Sequence, residues 1–256
     1  MKTFFVLLNR EMKSYFYSPI AYVVLCFFWL LMGGLICLIL AGNNGYPSEM
    51  PVVQQFFGGV FFWFPFILIF PLITMRIYSE EFRMGTVESL TTAPVSDLEI
   101  VLSKLAATFL FSCLLLLPSL AFFACYTKVT GNIAANATGA YLTTYFLLLL
   151  MSLFYCSIGC FASALTKDQI NAAVISFTTI LVIILFGFVF DIFGMNAQSG
   201  VQAMLREAQG YISPLMHMQD FSKGIIDSRP VVFYLTMTAL TTFLTFHVFQ
   251  YRKWKF

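Results

Sequence analysis

Long runs without a single charged side chain alternate along this chain with short segments dense in charge. Six intervals, 14–48, 50–75, 105–127, 129–166, 169–190 and 230–251, contain no Asp, Glu, Lys or Arg, and the shortest holds 22 residues. A helix rises about 1.5 Å per residue, so roughly 20 residues cross the ~30 Å hydrocarbon core of a bilayer. A charge at the middle of such a helix costs roughly 2.5–3.5 kcal/mol, so the intervals mark where lipid is the solvent. Trimming their polar ends predicts six transmembrane helices over 21–40, 57–75, 101–126, 141–165, 171–190 and 231–249. Pro65, Pro71 and Pro118 fall inside them, where proline kinks a membrane helix but is tolerated.

Three segments outside the spans carry a helical pattern of their own. In 1–19, Phe4, Leu7, Leu8, Met12, Tyr15 and Phe16 fall near one face and Asn9, Arg10 and Lys13 toward the other. This predicts an amphipathic helix lying in the membrane interface, broken at Ser18-Pro19. The segment 77–99 holds Glu80, Glu81, Arg83, Glu88, Asp97 and Glu99. Gly85-Thr86 and Ala93-Pro94 punctuate it, and Ser96-x-x-Glu99 forms a capping box that opens the third span. Between the breaks, 86–92 has room for about two helical turns. In 191–229, Val201, Met204, Leu205, Ala208 and Ile212 fall at helical spacing, and Ser213-Pro214 restarts a helix with Ser213 as N-cap. These are expected to be two short helices dipping into or lying on the outer leaflet. The expected fold is thus an all-α polytopic membrane protein in one transmembrane domain, 1–256.

Charge sets the orientation. With the N-terminus inside, Lys2, Arg10, Lys13, Arg76, Arg83, Lys104, Lys167, Arg252, Lys253 and Lys255 share the cytoplasmic side, against Lys128, Arg206, Lys223 and Arg229 outside. The positive-inside rule therefore places both termini in the cytoplasm. The chain is 60% hydrophobic and 10% charged, against about 25% charged in soluble domains, and no basic run suggests nucleic acid. The first apolar stretch is too long for a cleavable signal peptide. The six cysteines lie in apolar stretches without metal-ligand spacing and read as small buried apolar residues. The clusters Phe56-Phe57 and Phe61-Phe62-Trp63-Phe64 read as packing or lipid-facing residues. His247 reads as a helix-packing residue, and His217 as polar surface on an outer helix. Gly159-x-x-x-Ser163 is a candidate helix-contact motif.

The run from Tyr78 to Lys104 contains an acidic pair Glu80-Glu81, then Gly85-Thr86-x-Glu88-x-Leu90, then Pro94-x-Ser96, then Glu99-Ile100 and Lys104. It resembles the ABC-2 type permease family. Arg10-Glu11 through Tyr22 resembles that family's N-terminus, and His217 through Asp227 with Arg252-Lys253-Trp254 resembles its close. The subfamily it is most similar to is the gliding-motility-associated permease. The resemblance implies a permease subunit of an ABC transporter in a bacterial inner membrane. Its implied partners are a second permease subunit, identical or different, a cytoplasmic ATPase, membrane lipids and further envelope proteins. It also implies that Glu80, Glu81, Gly85, Thr86, Glu88, Leu90 and Pro94 form a coupling element docking on the ATPase. The first and fifth spans would then form the dimer seam.

The sequence bears on that division of labour independently. A phosphate-cradling G-x-x-x-x-G-K-[ST] loop is missing; neither Gly33-Gly34 nor Gly58-Gly59 leads to the required Lys. ATP and magnesium are therefore expected in a partner, with no cofactor and no catalytic or metal residue in this chain. A membrane enzyme would need a nucleophile with its base, or paired carboxylates, inside the bilayer, and the spans hold no Asp or Glu and only His247 as a base. An ion-coupled carrier would need embedded ionisable groups and internal repeats. A purely structural membrane subunit is the remaining alternative.

Overall fold

The computed structural model describes residues 2–42, 52–87, 95–130, 138–193 and 207–253. Its helices are α1 (Lys2–Tyr17), α2 (Pro19–Gly42), α3 (Val52–Gly58), α4 (Val60–Thr74), α5 (Ser79–Met84), α6 (Asp97–Thr130), α7 (Thr138–Leu165), α8 (Gln169–Phe193), α9 (Pro214–Ser222) and α10 (Ser228–Lys253). Six stretches are long and apolar enough to cross a membrane: those of α2, α4 continuing through α5, α6, α7, α8 and α10. The protein is therefore an all-helical, six-span membrane protein, and each span contains most or all of a predicted one.

The second span departs from expectation at its outer end. Residues 57–58 belong to a separate helix, α3, divided from α4 at Gly59, whose backbone is extended. A side chain at Gly59 would sit 3.0 Å from the Gln55 carbonyl, so a larger residue would push this corner open by a few tenths of an ångström. The turn tucks Val53, Phe56 and Phe57 inward, each at most 1% exposed. The aromatic cluster then divides between two environments. Phe56, Phe57, Phe62, Trp63 and Phe66 are buried and meet edge-on or tilted, while Phe61 and Phe64 are exposed.

Helix α7 is the centre of the bundle, with 72% of its span buried, against 28% for α2 and α8 and 17% for α10. The outward-facing spans carry hydroxyls without penalty because these bond their own helix. Thr178 donates to Val174, Thr236 to Val232 and Thr242 to Thr238. A hydroxyl satisfied one turn back makes no demand on the surrounding lipid. His247 lies on the exposed side of α10, edge-on to Phe243 and Phe246, so it is not the interhelical packing residue expected. Two of the cysteines, Cys26 and Cys37, are likewise exposed on α2, whereas Cys156 and Cys160 are buried in α7.

At the end of the bundle opposite the termini, α9 closes the space between α7, α8 and α10. Ser213 caps it as expected, accepting from the Met216 amide at 3.4 Å. The preceding helical turn over 207–212 is pinned by Gln209, which donates to the Gly187 carbonyl at 2.7 Å, and Thr143 donates to the Phe221 carbonyl at 2.7 Å. His217 is not surface: it is 4% exposed. Its Nε2 donates to the Gly210 carbonyl at 3.2 Å, so its Nδ1 accepts from the Tyr234 hydroxyl at 3.1 Å. Burial holds its pKa below the ordinary imidazole value, and the neutral ring is fully bonded. The first half of the first predicted outer helix, 201–206, lies outside the described residues.

Among the glycines of the described residues, the one most closely approached is Gly159 in the Gly159-x-x-x-Ser163 spacing. A Cβ on Gly159 would lie 2.0 Å from Thr74 Oγ1 and 2.5 Å from Thr74 Cβ, so the Thr74 side chain of α4 rests directly on the α7 backbone. One turn on, Ser163 Oγ accepts from the Tyr78 and Ser79 amides at 3.1 Å each and donates to the Met75 carbonyl at 3.0 Å. It thus satisfies the backbone groups that the irregular turn between α4 and α5 leaves open. Gly159→Ala is expected to lower stability by about 2 kcal/mol or more through overpacking, read as an earlier thermal unfolding midpoint in detergent. Gly34→Ala, which meets nothing within 4 Å, should leave the midpoint unchanged or slightly raised.

Candidate functional site

Both termini and the charge-dense segment gather at one end of the bundle. The chain arrives there because α1 turns at Ser18, where Pro19 starts α2, and because α4 gives way to an irregular turn before α5. The α6 N-terminus begins as predicted, Ser96 Oγ accepting from the Glu99 amide at 3.3 Å. Lys253 Nζ reaches Asp97 Oδ1 at 2.8 Å and so ties the C-terminal helix to the same point. Arg252 donates to the Leu165 carbonyl and lies over the Phe82 ring at 4.6 Å.

At the centre stands Lys104, on the first turns of α6 and only 1% exposed. Its ammonium meets Glu11 Oε1 of α1 at 3.1 Å, Glu81 Oε1 of α5 at 2.9 Å and the Ile77 carbonyl at 3.0 Å. The Tyr78 ring lies beneath it, 5.3 Å to the centroid. Arg10 bridges the same two carboxylates at 2.8 Å each. Two cations and two anions form a closed, neutral set across three segments distant in sequence. Burial alone would raise the Glu11 pKa, but the charges of Lys104 and Arg10 outweigh it and hold it below the ordinary carboxylate value. Neighbouring contacts fix α1 further: Tyr15 donates to the Ile73 carbonyl at 3.0 Å and stacks on Phe111 at 4.8 Å. Thr3 donates to Glu99 at 2.8 Å.

The residues implied as a coupling element are distributed around this cluster. Glu81 faces inward and is engaged by Lys104 and Arg10. Glu80 is half-buried one residue earlier. Gly85 ends α5 with φ +70°, the left-handed conformation that closes a helix and favours glycine. Arg83, Met84, Gly85 and Thr86 are exposed, and Val87 turns back into the core at 5% exposure. Glu88, Leu90 and Pro94 lie outside the described residues. The sequence pattern did not announce the burial of Lys104 or its pairing with Arg10 and Glu11. The available signal was a lysine at the very edge of a long apolar run, with an Arg-Glu pair inside an otherwise amphipathic helix.

Between α1, the start of α2 and the α4–α5 turn lies a cavity of about 730 Å³, walled by polar groups on the α5 side and apolar ones toward the spans. Arg76 extends into this region and donates to Ser18 Oγ at 2.9 Å.

Comparison with known families matches residues 42–249 to the family described as ABC-2 family transporter protein. The matched stretch includes Glu81 and Lys104, whereas Arg10 and Glu11 precede it. Comparison with curated proteins finds no match.

The cluster makes a two-part prediction for stability. Removing one member of a buried charge set leaves the others unpaired, so Lys104→Met is expected to cost about 3–5 kcal/mol, and adding Glu81→Gln should recover part of that loss. For pH, a carboxyl whose folded pKa is depressed stabilises the fold above its unfolded value and loses that contribution as pH falls through the folded one. The thermal unfolding midpoint in detergent should therefore decline first below about pH 6.5, where the unfolded chain protonates the imidazole that burial keeps neutral at His217, and again below about pH 4, with Glu11→Gln flattening only the second decline.

Proposed function

Because this chain belongs to the ABC-2 family of transporter proteins, and is thus a membrane subunit of an ABC transporter, we propose that a separate cytoplasmic ATPase drives it and that it works as an exporter. In this reading two permease subunits pair in a bacterial inner membrane, both termini face the cytoplasm, and ATP and magnesium bind only to the partner. The pattern from Glu80 to Lys104 supports the gliding-motility-associated subfamily. The concentration of lysine and arginine at the termini end supports the orientation.

The observation that carries the coupling assignment is mechanical. The exposed turn at Arg83–Thr86 ends a short helix whose Glu81 is locked to α1 and α6 through Arg10 and Lys104. Its backbone is bonded to α7 through Ser163. A force on the turn reaches three helices at once, because none of these contacts lets α5 slide independently. A nucleotide-driven partner needs such a rigid handle, since ATP energy reaches the spans only as a difference in binding between two states. Glu80, Glu81, Gly85, Thr86, Glu88, Leu90 and Pro94 are assigned to this handle, with Glu81 as the residue that fastens it from within.

Two measurements test the reading. A thiol placed by Thr86→Cys should resist a membrane-impermeant maleimide in sealed cells and react after permeabilisation; labelling in sealed cells would overturn the orientation. Gly85→Pro and Glu88→Ala should each leave membrane insertion intact yet reduce co-purification of a P-loop ATPase, or abolish transport-linked ATP hydrolysis in the isolated complex. Normal values for both variants would remove the handle's role.

A further inference from the structure

The cavity at the termini end holds a pair of charges that the cluster leaves over. Among the residues that line it, Arg10, Glu11 and Glu81 are neutralised together with Lys104. Arg76 and Glu80 remain. They stand one helical turn apart, the Glu80 amide bonding the Arg76 carbonyl at 3.2 Å, a spacing at which an arginine and a glutamate ordinarily meet. Among the described residues they form no ion pair with each other or with anything else. Arg76 is bonded only to the Ser18 hydroxyl, and its Nε is buried without a partner. The cavity is thus lined by the Arg76 guanidinium at one point and by the unpaired Glu80 carboxylate about one turn away.

Its other wall is apolar. Val24, Leu72, Ile73 and Phe111 line it toward the spans, and α1 roofs it with Ser14 and Tyr17. The volume, about 730 Å³, lies in the range of small-molecule sites, roughly 300–1,000 Å³. Pro19, Ile20 and Ala21 at the start of α2 also line it, which puts it beside the point where the chain enters the membrane, within reach of an amphiphile whose chains stay in hydrocarbon.

We propose that this cavity binds the headgroup of a zwitterionic aminophospholipid, with the phosphate on Arg76 and Ser18 and the primary ammonium on Glu80. The reasoning selects among headgroups. A phosphate matches the guanidinium, which presents a planar set of donors suited to it. An ammonium that carries N–H groups fills the carboxylate acceptors. A quaternary amine has no hydrogen to give them, and a glycerol headgroup brings no positive charge. The inference goes beyond the transport reading and does not rest on it, since lipid binding is read on the full-length chain without ATPase.

The test is delipidation of the full-length protein in detergent, followed by addition of phosphatidylethanolamine, phosphatidylcholine or phosphatidylglycerol and counting of retained lipid by native mass spectrometry. Phosphatidylethanolamine should be retained about tenfold better than either of the others, the difference expected for one charge-assisted hydrogen-bonded contact. Glu80→Gln should erase that preference, Arg76→Gln should weaken retention of all phosphate-bearing headgroups, and Leu72→Trp should block the cavity without changing a charge. Equal retention of the three lipids, preference for phosphatidylglycerol, retention of none, or a preference for phosphatidylethanolamine that survives both Glu80→Gln and Leu72→Trp would each overturn the proposal.

Discussion

A lysine ammonium removed from water must be repaid by neighbours, and Lys104 is where this fold meets that requirement. The desolvation of a single buried ion costs several kcal/mol even after relaxation. Lys104, at 1% exposure, has Glu11, Glu81 and a backbone carbonyl around it. No one segment supplies these groups: α1 brings Glu11, α5 brings Glu81, and the turn before α5 brings Ile77. The charge therefore selects one relative placement of the N-terminal helix, the second span and the third span, because any other leaves ions unpaired. Arg10 completes the neutrality by bridging both carboxylates.

A second constraint acts inside the bilayer, where apolar burial gives little preference for one helix pairing over another because lipid is as apolar as the side chains. Close approach and backbone bonding take over. Gly159 allows α7 to touch Thr74 directly, and Ser163 takes up the amides and the carbonyl exposed by the turn after α4. The break in the second span is thereby held by the central helix, at the level where the Lys104 cluster begins. These two devices make the termini end of the bundle a rigid block, while α2, α8 and α10 turn mostly outward.

The far end follows the same rule with neutral groups. His217, buried between Gly210 and Tyr234, and Gln209, bonded to Gly187, hold the α9 region against the spans. Sequence alone suggested a polar surface for His217, since a single histidine beside Asp220 and Gln219 on a short helix carries no sign of which way it faces. Its partners are 7 and 17 residues away, separations that no local pattern encodes.

What the chain's own order of residues determined is the set of six spans, the helix before them, the break at Ser18-Pro19, the cap at Ser213 and the close at Gly85. Each of these depends on interactions within a few residues: a charge too costly for lipid, a proline without an amide, a glycine free to adopt positive φ. The tertiary structure alone decided that α3 folds in as a separate helix, that Phe56 and Phe57 pack while Phe61 and Phe64 face outward, and that Lys104, Arg10, Glu11 and Glu81 form one cluster beside a polar cavity. Those outcomes depend on which helices become neighbours. Neighbourhood among apolar helices is settled by the fit of small residues and the pairing of buried charges across the bundle, and a one-dimensional pattern does not contain it.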